Sequence, residues 1–480
     1  MTGAPVYAAL RAVAEAAPDA PAMVGHDGTV TSYGRLLEAV DTHAESLGGA
    51  AGARPVVGLA VDDPLTFVAA YFAAAKVRYV AVLLDSRATP EEQARLAAKF
   101  DLDLLVGEGG VEPVAGGSGD GSRRPHAYRP DDFVVHCTSG STGVPKGIVM
   151  SQAAVMERVR SWSLEGELTS SDVVLCALPL WHGHGIDVLA LPTFLNGAKA
   201  VFTRGGQLTA RGLARVIQKH AVTIVSGLPV MYQMLVAADG VDRAALGSLR
   251  LALTGSAPIS ADTQARFGER FGLPLRQGYG LGEIGIITYD AKNTGPGTIG
   301  LPISGIDWRF DPGGTDGTDS TDGGSELLVR GPALARGYYR DPEAEAAMFV
   351  DGWLRTHDLV VAEPDGWFIR GRKSTFINVT GNKVAPIEVE TALRACEGVA
   401  DCAVVGLPDG EGGEQIAALV VGDATCDPNA VRQQMGARML PYQLPQKYAF
   451  AASLPRTPVG KTDYEAVKRV VRGGAGARTS

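Results

Sequence analysis

A doubly wound α/β architecture followed by a small α+β unit is what this sequence predicts, and three observations carry the prediction. Strand-like and helix-like patterns alternate through about residue 270, as repeated βα units do. From about residue 374 the order becomes strand, loop, helix, strand, strand, in a unit of roughly 100 residues. The chain has 480 residues, enough for roughly three domains at about 150 residues each.

Taken in order, "MTGAPVYAALRAVAEAAPDAP" reads as an amphipathic helix. It lacks a basic segment leading into an apolar core and carries Glu15, so the expectation is a helix rather than a signal peptide. "PVVGLAV" (55–61) is a buried strand, "PLTFVAAYFAAAKV" (64–77) a helix, and "YVAVLL" (79–84) a strand. "TPEEQARLAAKF" (89–100) is a helix opened by Thr, Pro and two Glu, and "LDLLVG" (102–107) a strand. "GEGGVEPVAGGSGDGSRRP" (107–125) reads as a linker, and "DPGGTDGTDSTDGGSE" (311–326) as a hairpin tip between the strands "IDWRF" and "ELLVRG". The domain boundary falls at 372–374, giving domains 1–372 and 374–480.

Composition excludes several classes. Hydrophobic residues make up 45% and the net charge is −9, without a long Lys/Arg run, which argues against a nucleic-acid surface. No run of about 18 uncharged apolar residues offers a membrane span. Cys137, Cys176, Cys396, Cys402 and Cys426 make no C-x-x-C pair and form no disulfide framework. A cytoplasmic protein is the expectation.

Two glycine-rich stretches invite a nucleotide. "GYGLGEIG" (278–285) matches the dinucleotide fingerprint G-x-G-x-x-G. That fingerprint must open a helix, whereas here the strand-like "IITYD" follows. "FVVHCTSGSTGVPKGIVM" (133–150) runs from an apolar strand into Thr138, Ser139, Gly140, Ser141, Thr142, Gly143 and Lys146. Permissive glycines, hydroxyls and one Lys suit a backbone that wraps phosphates. The P-loop of kinases and ATPases needs Gly before the Lys and Ser or Thr after it; Pro145 and Gly147 stand there instead.

"TSGSTGVPKG" resembles the phosphate loop of the adenylate-forming superfamily: acyl-CoA and aryl-CoA synthetases, peptide-synthetase adenylation domains and firefly luciferase. "QGYGLGE" (277–283), "WLRTHDL" (353–359), "RGRKSTFINVTGNKVAPIEVE" (370–390) and "LPRTPVGKTD" (454–463) resemble its later motifs in the same order and span almost the whole chain. The resemblance implies a large N-terminal domain of doubly wound subdomains with a β-rich subdomain, and a mobile C-terminal domain. It implies adenylation of a carboxylate by ATP with release of pyrophosphate, then transfer of the acyl group to a thiol. No carrier-protein serine motif follows, so the expected acceptor is CoA or the phosphopantetheine of a separate carrier protein.

Residue by residue, the resemblance places the 138–147 loop on the β,γ-phosphates and Tyr279 on adenine, within Gln277, Gly278 and Gly280. Gly255 and Ser256 form the other wall of that pocket. Glu283, with Thr142, takes Mg²⁺. Asp358 takes the ribose hydroxyls with Arg372 in support, and Lys461 bridges the carboxylate and the α-phosphate. Gly381 and Lys383 shape the thiol channel after a rotation about the hinge. Three departures stand out: Gly282 where the family has Thr, His357 where it has Gly, and Ser374 at the hinge.

"CALPLWHGHGIDVLALPTFLNGAKAVF" (176–202) resembles the acyl-pocket segment, with His182 near the carboxylate; His184, Asp187 and Gly227 are further pocket candidates. His184 stands where α-amino acid enzymes carry Asp, so the expected substrate is a small or medium acyl or aryl acid. Asp187 is a charge in an apolar run and needs a partner. Three readings stay open: a His184–Asp187 pair or local cap, a carboxylate holding a β-amino group, and a metal-bound His. The rival functions are a catalytically weakened nucleotide- or acyl-binding homologue, a stand-alone amino-acid adenylation enzyme, and a luciferase-like oxygenase.

Overall fold

The computed structural model describes residues 4–48, 54–114, 127–138, 145–204, 209–311, 324–379, 382–409, 414–423, 426–457 and 460–473. The predicted alternation forms as read. Strands Val56–Leu59, Val80–Leu83 and Leu104–Gly107 flank helices Pro64–Val77 and Pro90–Lys99. The Asp63 carboxylate accepts from the Thr66 amide and opens the first helix, which ends at Arg78 in a left-handed conformation. That helix is buried almost all round, from Phe67 to Ala75, which is why its sequence lacks a polar face. Thr89 caps the second, with Glu91 and Glu92 in its first turn and Lys99 in its last, the charge order a helix dipole favours.

These strands belong to a seven-stranded sheet whose other members include Asp132–Thr138 and Lys146–Ser151. Its core pairings are parallel, while Asp132–Thr138 and Lys146–Ser151 pair antiparallel on either side of residues 139–144. A nine-stranded sheet has a parallel centre of Val173–Cys176, Ile224–Gly227, Leu251–Thr254 and Leu275–Leu281. A third, antiparallel sheet runs from Asp307–Phe310 to Gly366–Arg372. "IDWRF" and "ELLVRG" pair as expected, Phe310 opposite Leu327; the tip between them lies outside the described residues. The small C-terminal unit has a hairpin, Ile377–Val379 with Asn382–Val384. Beyond it is a three-stranded sheet of Val399–Pro408, Glu414–Gly422 and Lys447–Ala451. Helices Pro386–Arg394 and Tyr464–Arg472 pack on that sheet.

The false fingerprint becomes a hairpin. Leu275–Leu281 pairs antiparallel with Gly285–Tyr289, and no helix opens after the glycines. A Cβ on Gly280 would fall 2.2 Å from the Gly285 carbonyl oxygen, and Gly285 has φ +85°. Close approach and a left-handed turn account for both glycines; Gly282 is exposed in the turn. Among the described residues no helix is long and apolar enough to cross a membrane, and all five cysteines are free thiols.

Candidate active site

The parallel strands of the nine-stranded sheet end at one place. Gly227 closes Ile224–Gly227, Gly255 and Ser256 follow Leu251–Thr254, and Gln277, Gly278, Tyr279 and Gly280 lie in Leu275–Leu281. Ligands of open α/β sheets bind at such carboxyl ends. A Cβ on Gly255 would lie 3.3 Å from the Gly278 carbonyl and 3.7 Å from the His184 ring, so these residues share one wall.

Tyr279 donates its hydroxyl to Asp358 Oδ2 at 2.6 Å, and Arg372 Nε lies 3.3 Å from Asp358 Oδ1. Burial raises the Asp358 carboxyl above the usual range, against the pull of Arg372. His357, in place of the family's glycine, adopts φ 59°, the left-handed region in which a glycine costs nothing. Its Nδ1 lies 3.2 Å from Glu326. That buried carboxylate also holds Arg355 at 2.6 Å and Lys373, beside the expected domain boundary, at 2.8 Å. Although burial opposes it, the bonds from Arg355 and Lys373 hold the Glu326 carboxyl down at about 2. A histidine in a strained conformation is thus tied to a charge cluster that also grips the start of the C-terminal unit.

Glu283, in the hairpin turn, accepts the Tyr338 hydroxyl on Oε1 at 2.5 Å. Its second carboxylate oxygen takes no hydrogen bond among the described residues. The Lys146 ammonium lies 5.4 Å from the Tyr338 ring centroid, and the strand Gly337–Tyr338 pairs with Lys146–Ser151. Tyr338 thereby joins the phosphate-loop strand to Glu283. Sequence reading missed it; the available signal was its place in "RGYYRD", after the β-rich segment.

The His184–Asp187 pair expected from the i, i+3 spacing does not form. His184–Ala190 is a π-helix, whose i→i+5 winding turns position i+3 away from position i. His184 instead bonds Ser256 Oγ through Nδ1 at 2.9 Å and Ser226 Oγ through Nε2 at 2.7 Å. Both ring nitrogens are committed to the protein. Asp187 pairs with Arg158, Nη1 to Oδ2 2.9 Å, both buried. Asp187 carries no side-chain cap for its own helix, and the guanidinium beside it would repel a substrate ammonium. Arg158 was also missed in the sequence. It lies on the face of helix Gln152–Glu165 that buries Val155 and Trp162, so a charge at a core-phased position was its signal. The His184 amide donates to His182 Nδ1, which leaves the His182 proton on Nε2. Burial, then the charge of Lys461, lowers His182 to about 3 and His184 to about 4.

Lys461 belongs to the C-terminal unit, yet its charge is felt by His182, His184, Glu283 and Arg372. Burial and Arg372 lower its ammonium from the ordinary 10.5, with Glu283 pulling the other way. A tight turn presents it: Thr457 donates to the Lys461 carbonyl at 2.7 Å and Gly460 to the Thr457 carbonyl at 2.8 Å. A Cβ on Gly460 would meet Leu228, one residue past Gly227, at 2.5 Å. The structure therefore places Gly227, Gly255, Ser256, Tyr279, Asp358, Arg372, His182 and His184 around the carboxyl ends of these strands, with Glu283 in the adjoining hairpin turn and the turn bearing Lys461 packed on Leu228. Ser139, Gly140, Ser141, Thr142, Gly143 and Gly381 lie outside the described residues, as do the side chains of Thr138, Ser374 and Lys383.

The family model for AMP-binding enzymes matches residues 10–339, and that for the AMP-binding enzyme C-terminal domain matches residues 388–461. The chain belongs to the AMP-binding enzyme family. A feruloyl-CoA synthase of Amycolatopsis sp is 31% identical over 91% of this chain and 93% of that protein. An indoleacetate–CoA ligase of Aromatoleum aromaticum is 34% identical over 74% of this chain and 70% of its own length. The crystal structure of ATP-bound MatB from Rhodopseudomonas palustris superposes with a TM-score of 0.84 at 23% identity, covering 98% of this chain and 99% of that one. An anthranilate CoA ligase in complex with anthranoyl-AMP reaches a TM-score of 0.84 at 22% identity, covering 97% of each chain. These structures share the fold: a large mixed α/β N-terminal domain and a small C-terminal one. The chain is an AMP-forming acid–thiol ligase by class: ATP activates a carboxylate as an acyl-adenylate, and the acyl group passes to a thiol. ATP and CoA are the cosubstrates of that class.

Proposed function

We propose that this ligase uses CoA rather than a carrier protein as its thiol, and that its acid is an aryl or arylalkanoic acid without an α-amino group. The naming of its relatives as CoA ligases of feruloyl and indoleacetate groups supports both choices. The observation that carries the residue assignment is that the turn bearing Lys461, from the C-terminal unit, packs through Gly460 on Leu228, beside Gly227 at the carboxyl end of a parallel strand.

In the first half-reaction an anion attacks a polyanion, and the developing charge must be neutralised. Lys461, a point charge on a flexible stem, draws the acid's carboxylate and the α-phosphate together. Tyr279 and Arg372 fix both oxygens of Asp358, which accepts the ribose hydroxyls. The Tyr279 ring backs the adenine opposite Gly255 and Ser256, with Gln277 at its edge. The 138–147 loop, with Lys146, wraps the β,γ-phosphates. Glu283, with one carboxylate oxygen braced by Tyr338 and the other open, would hold Mg²⁺ together with Thr142. That ion would supply charge neutralisation at the phosphates. His182, neutral with its proton on Nε2, bounds the carboxylate end of the acyl pocket, which excludes water beside it.

For the second half-reaction the C-terminal domain, 374–480, rotates about 372–374. Lys461 withdraws and the hairpin bearing Gly381 and Lys383 lines the thiol channel, a hinge closure that exchanges catalytic groups. The Lys373–Glu326 pair must break or follow this motion.

ATP–pyrophosphate exchange with a panel of carboxylic acids, followed by CoA-dependent release of AMP, tests the reading. Exchange with at least one aryl acid and thioester formation with free CoA are expected. No exchange with any acid, despite ATP binding, sinks it. Gly460→Ala separates the half-reactions further. Its φ of +81° and the contact with Leu228 strain the turn by about 1–3 kcal/mol. Exchange should fall about tenfold while CoA transfer from a supplied acyl-adenylate is spared; an equal fall in both would refute the assignment of that turn to adenylation.

A further inference from the structure

Glu326 gathers a set of charged side chains on the third sheet. It is buried at 2% exposure on strand Ser325–Arg330. Its Oε1 accepts from Arg355 Nε at 3.2 Å and lies 3.2 Å from His357 Nδ1. Its Oε2 accepts from Arg355 Nη2 at 2.6 Å and from Lys373 Nζ at 2.8 Å. Asp311 takes the same Arg355 nitrogen at 2.7 Å. Two carboxylates thus balance Arg355 and Lys373, and the cluster calls for no ligand of its own.

Its place in the sheet gives it a task. Glu326 pairs with Leu359 across the ladder, so it shares the face of Leu359 and not that of the neighbouring Asp358. Strand Gly366–Arg372 ends at Arg372, which pairs with Asp358. Arg372 keeps to the Asp358 side: Nε lies 3.3 Å from Oδ1, and Nη2 donates to the Thr356 carbonyl at 3.3 Å. Lys373, the next residue, turns to the opposite face and reaches Glu326. Two successive residues therefore staple the end of this strand through both faces of the sheet.

The ladder around Asp358 is too irregular to hold that end unaided. On one side, Glu326 and Leu328 face Leu359 and Arg355, so a step of two residues is matched by a step of four. The surplus is taken up where His357 adopts φ 59°, the kind of departure a bulge makes. On the other side, the register slips again between Leu359 and Val360. Ion pairs must do what regular pairing does elsewhere, and the two are unequal. The Arg372 side chain is 43% exposed and its contact is long, so it holds loosely. Lys373 meets a carboxylate of 0% exposure at 2.8 Å, where screening is weak. The tighter contact sets the position of the looser one.

We propose that Lys373 is a positioning residue for nucleotide recognition: its bond to Glu326 holds the adjacent Arg372 on Asp358 and so sharpens the preference for a ribonucleotide over a deoxyribonucleotide. This rests on the reading of Asp358 as the acceptor of the ribose hydroxyls. Arg355 and His357 serve the same end by fixing Glu326. Without Lys373, Glu326 keeps both bonds from Arg355, so no buried charge is orphaned and the variant folds.

The test is ATP–pyrophosphate exchange with ATP and with 2′-deoxy-ATP, using an acid that supports exchange. The intact enzyme should favour ATP in kcat/KM by about 10–100-fold, as loss of a hydrogen bond to a charged group does. Lys373→Met should shrink that preference several-fold, mainly through a higher KM for ATP with kcat changed less. Lys373→Arg, which keeps the charge, should retain most of it. The preference is read within each variant, so a general loss of stability or activity does not imitate the effect. A preference untouched by Lys373→Met, with both nucleotides losing activity equally or not at all, overturns the proposal alone and leaves a cluster that only staples the sheet. A Lys373→Arg variant as poor as Lys373→Met assigns the effect to packing and overturns it too. No preference in the intact enzyme overturns it together with the ribose role of Asp358. No exchange with any acid overturns the ligase reading as well.

Discussion

Replacing Lys461 with Ala lowers ATP–pyrophosphate exchange by about 10²–10³-fold, the usual cost of removing one charged donor aimed at a transition-state oxygen. CoA transfer from a supplied acyl-adenylate persists, since Lys461 serves only the first half-reaction in this reading. Equal loss in both halves would show that the residue supports the domain rather than the chemistry. The pH dependence gives a second check. The residue works as an ammonium, and burial with the Arg372 charge lowers its pKa from 10.5. Activity therefore falls as pH rises through that lowered value. The alkaline limb of kcat/KM for ATP, which reports the free enzyme, should lie below 10.5. Lys461→Arg should push the limb out of range, because a guanidinium does not deprotonate there. A limb unmoved by that change assigns the ionisation to another group.

Arg158→Met destabilises the N-terminal domain by about 3–5 kcal/mol, because it leaves the buried Asp187 carboxylate unpaired. The loss is read from the shift in the denaturation midpoint of the first transition. Adding Asp187→Asn recovers a large part of it, since the orphaned charge is gone. A double variant as unstable as the sum of the two singles would mean the residues act independently, against the 2.9 Å contact.

Much of the fold was legible because its rules are local. The helix Pro64–Val77 is written in its cap and its continuous apolar run. The strand after the glycines was legible from "IITYD", which is why the dinucleotide match failed; its antiparallel pairing with Leu275–Leu281 was not. The C-terminal unit was legible from its change of texture. The active-site candidates were legible through ordered motifs, and the structure sets Asp358 and Arg372 against Tyr279, in the hairpin that carries Glu283, and the turn bearing Lys461 against Leu228, although 178 positions separate Glu283 from Lys461. What escaped was pairing at a distance. Asp187 was flagged as a charge needing a partner, but its partner lies 29 residues away on another helix. The spacing argument chose His184 because it assumed α-helical winding. Tyr338 was missed because its contact with Glu283 joins segments 55 residues apart, held by the pairing of Gly337–Tyr338 with Lys146–Ser151.

The sequence by itself determined the class of fold and the family, and it nominated the groups proposed to manage charge around ATP, since periodicity is local and each motif lies within a few residues. Only the tertiary structure decided which of those charges are already spent. It paired Asp187 with Arg158, closed both nitrogens of His184 on serines, and tied His357 and Lys373 to Glu326. Burial makes each of these pairings consequential, and burial is a property of the folded chain that no segment possesses alone.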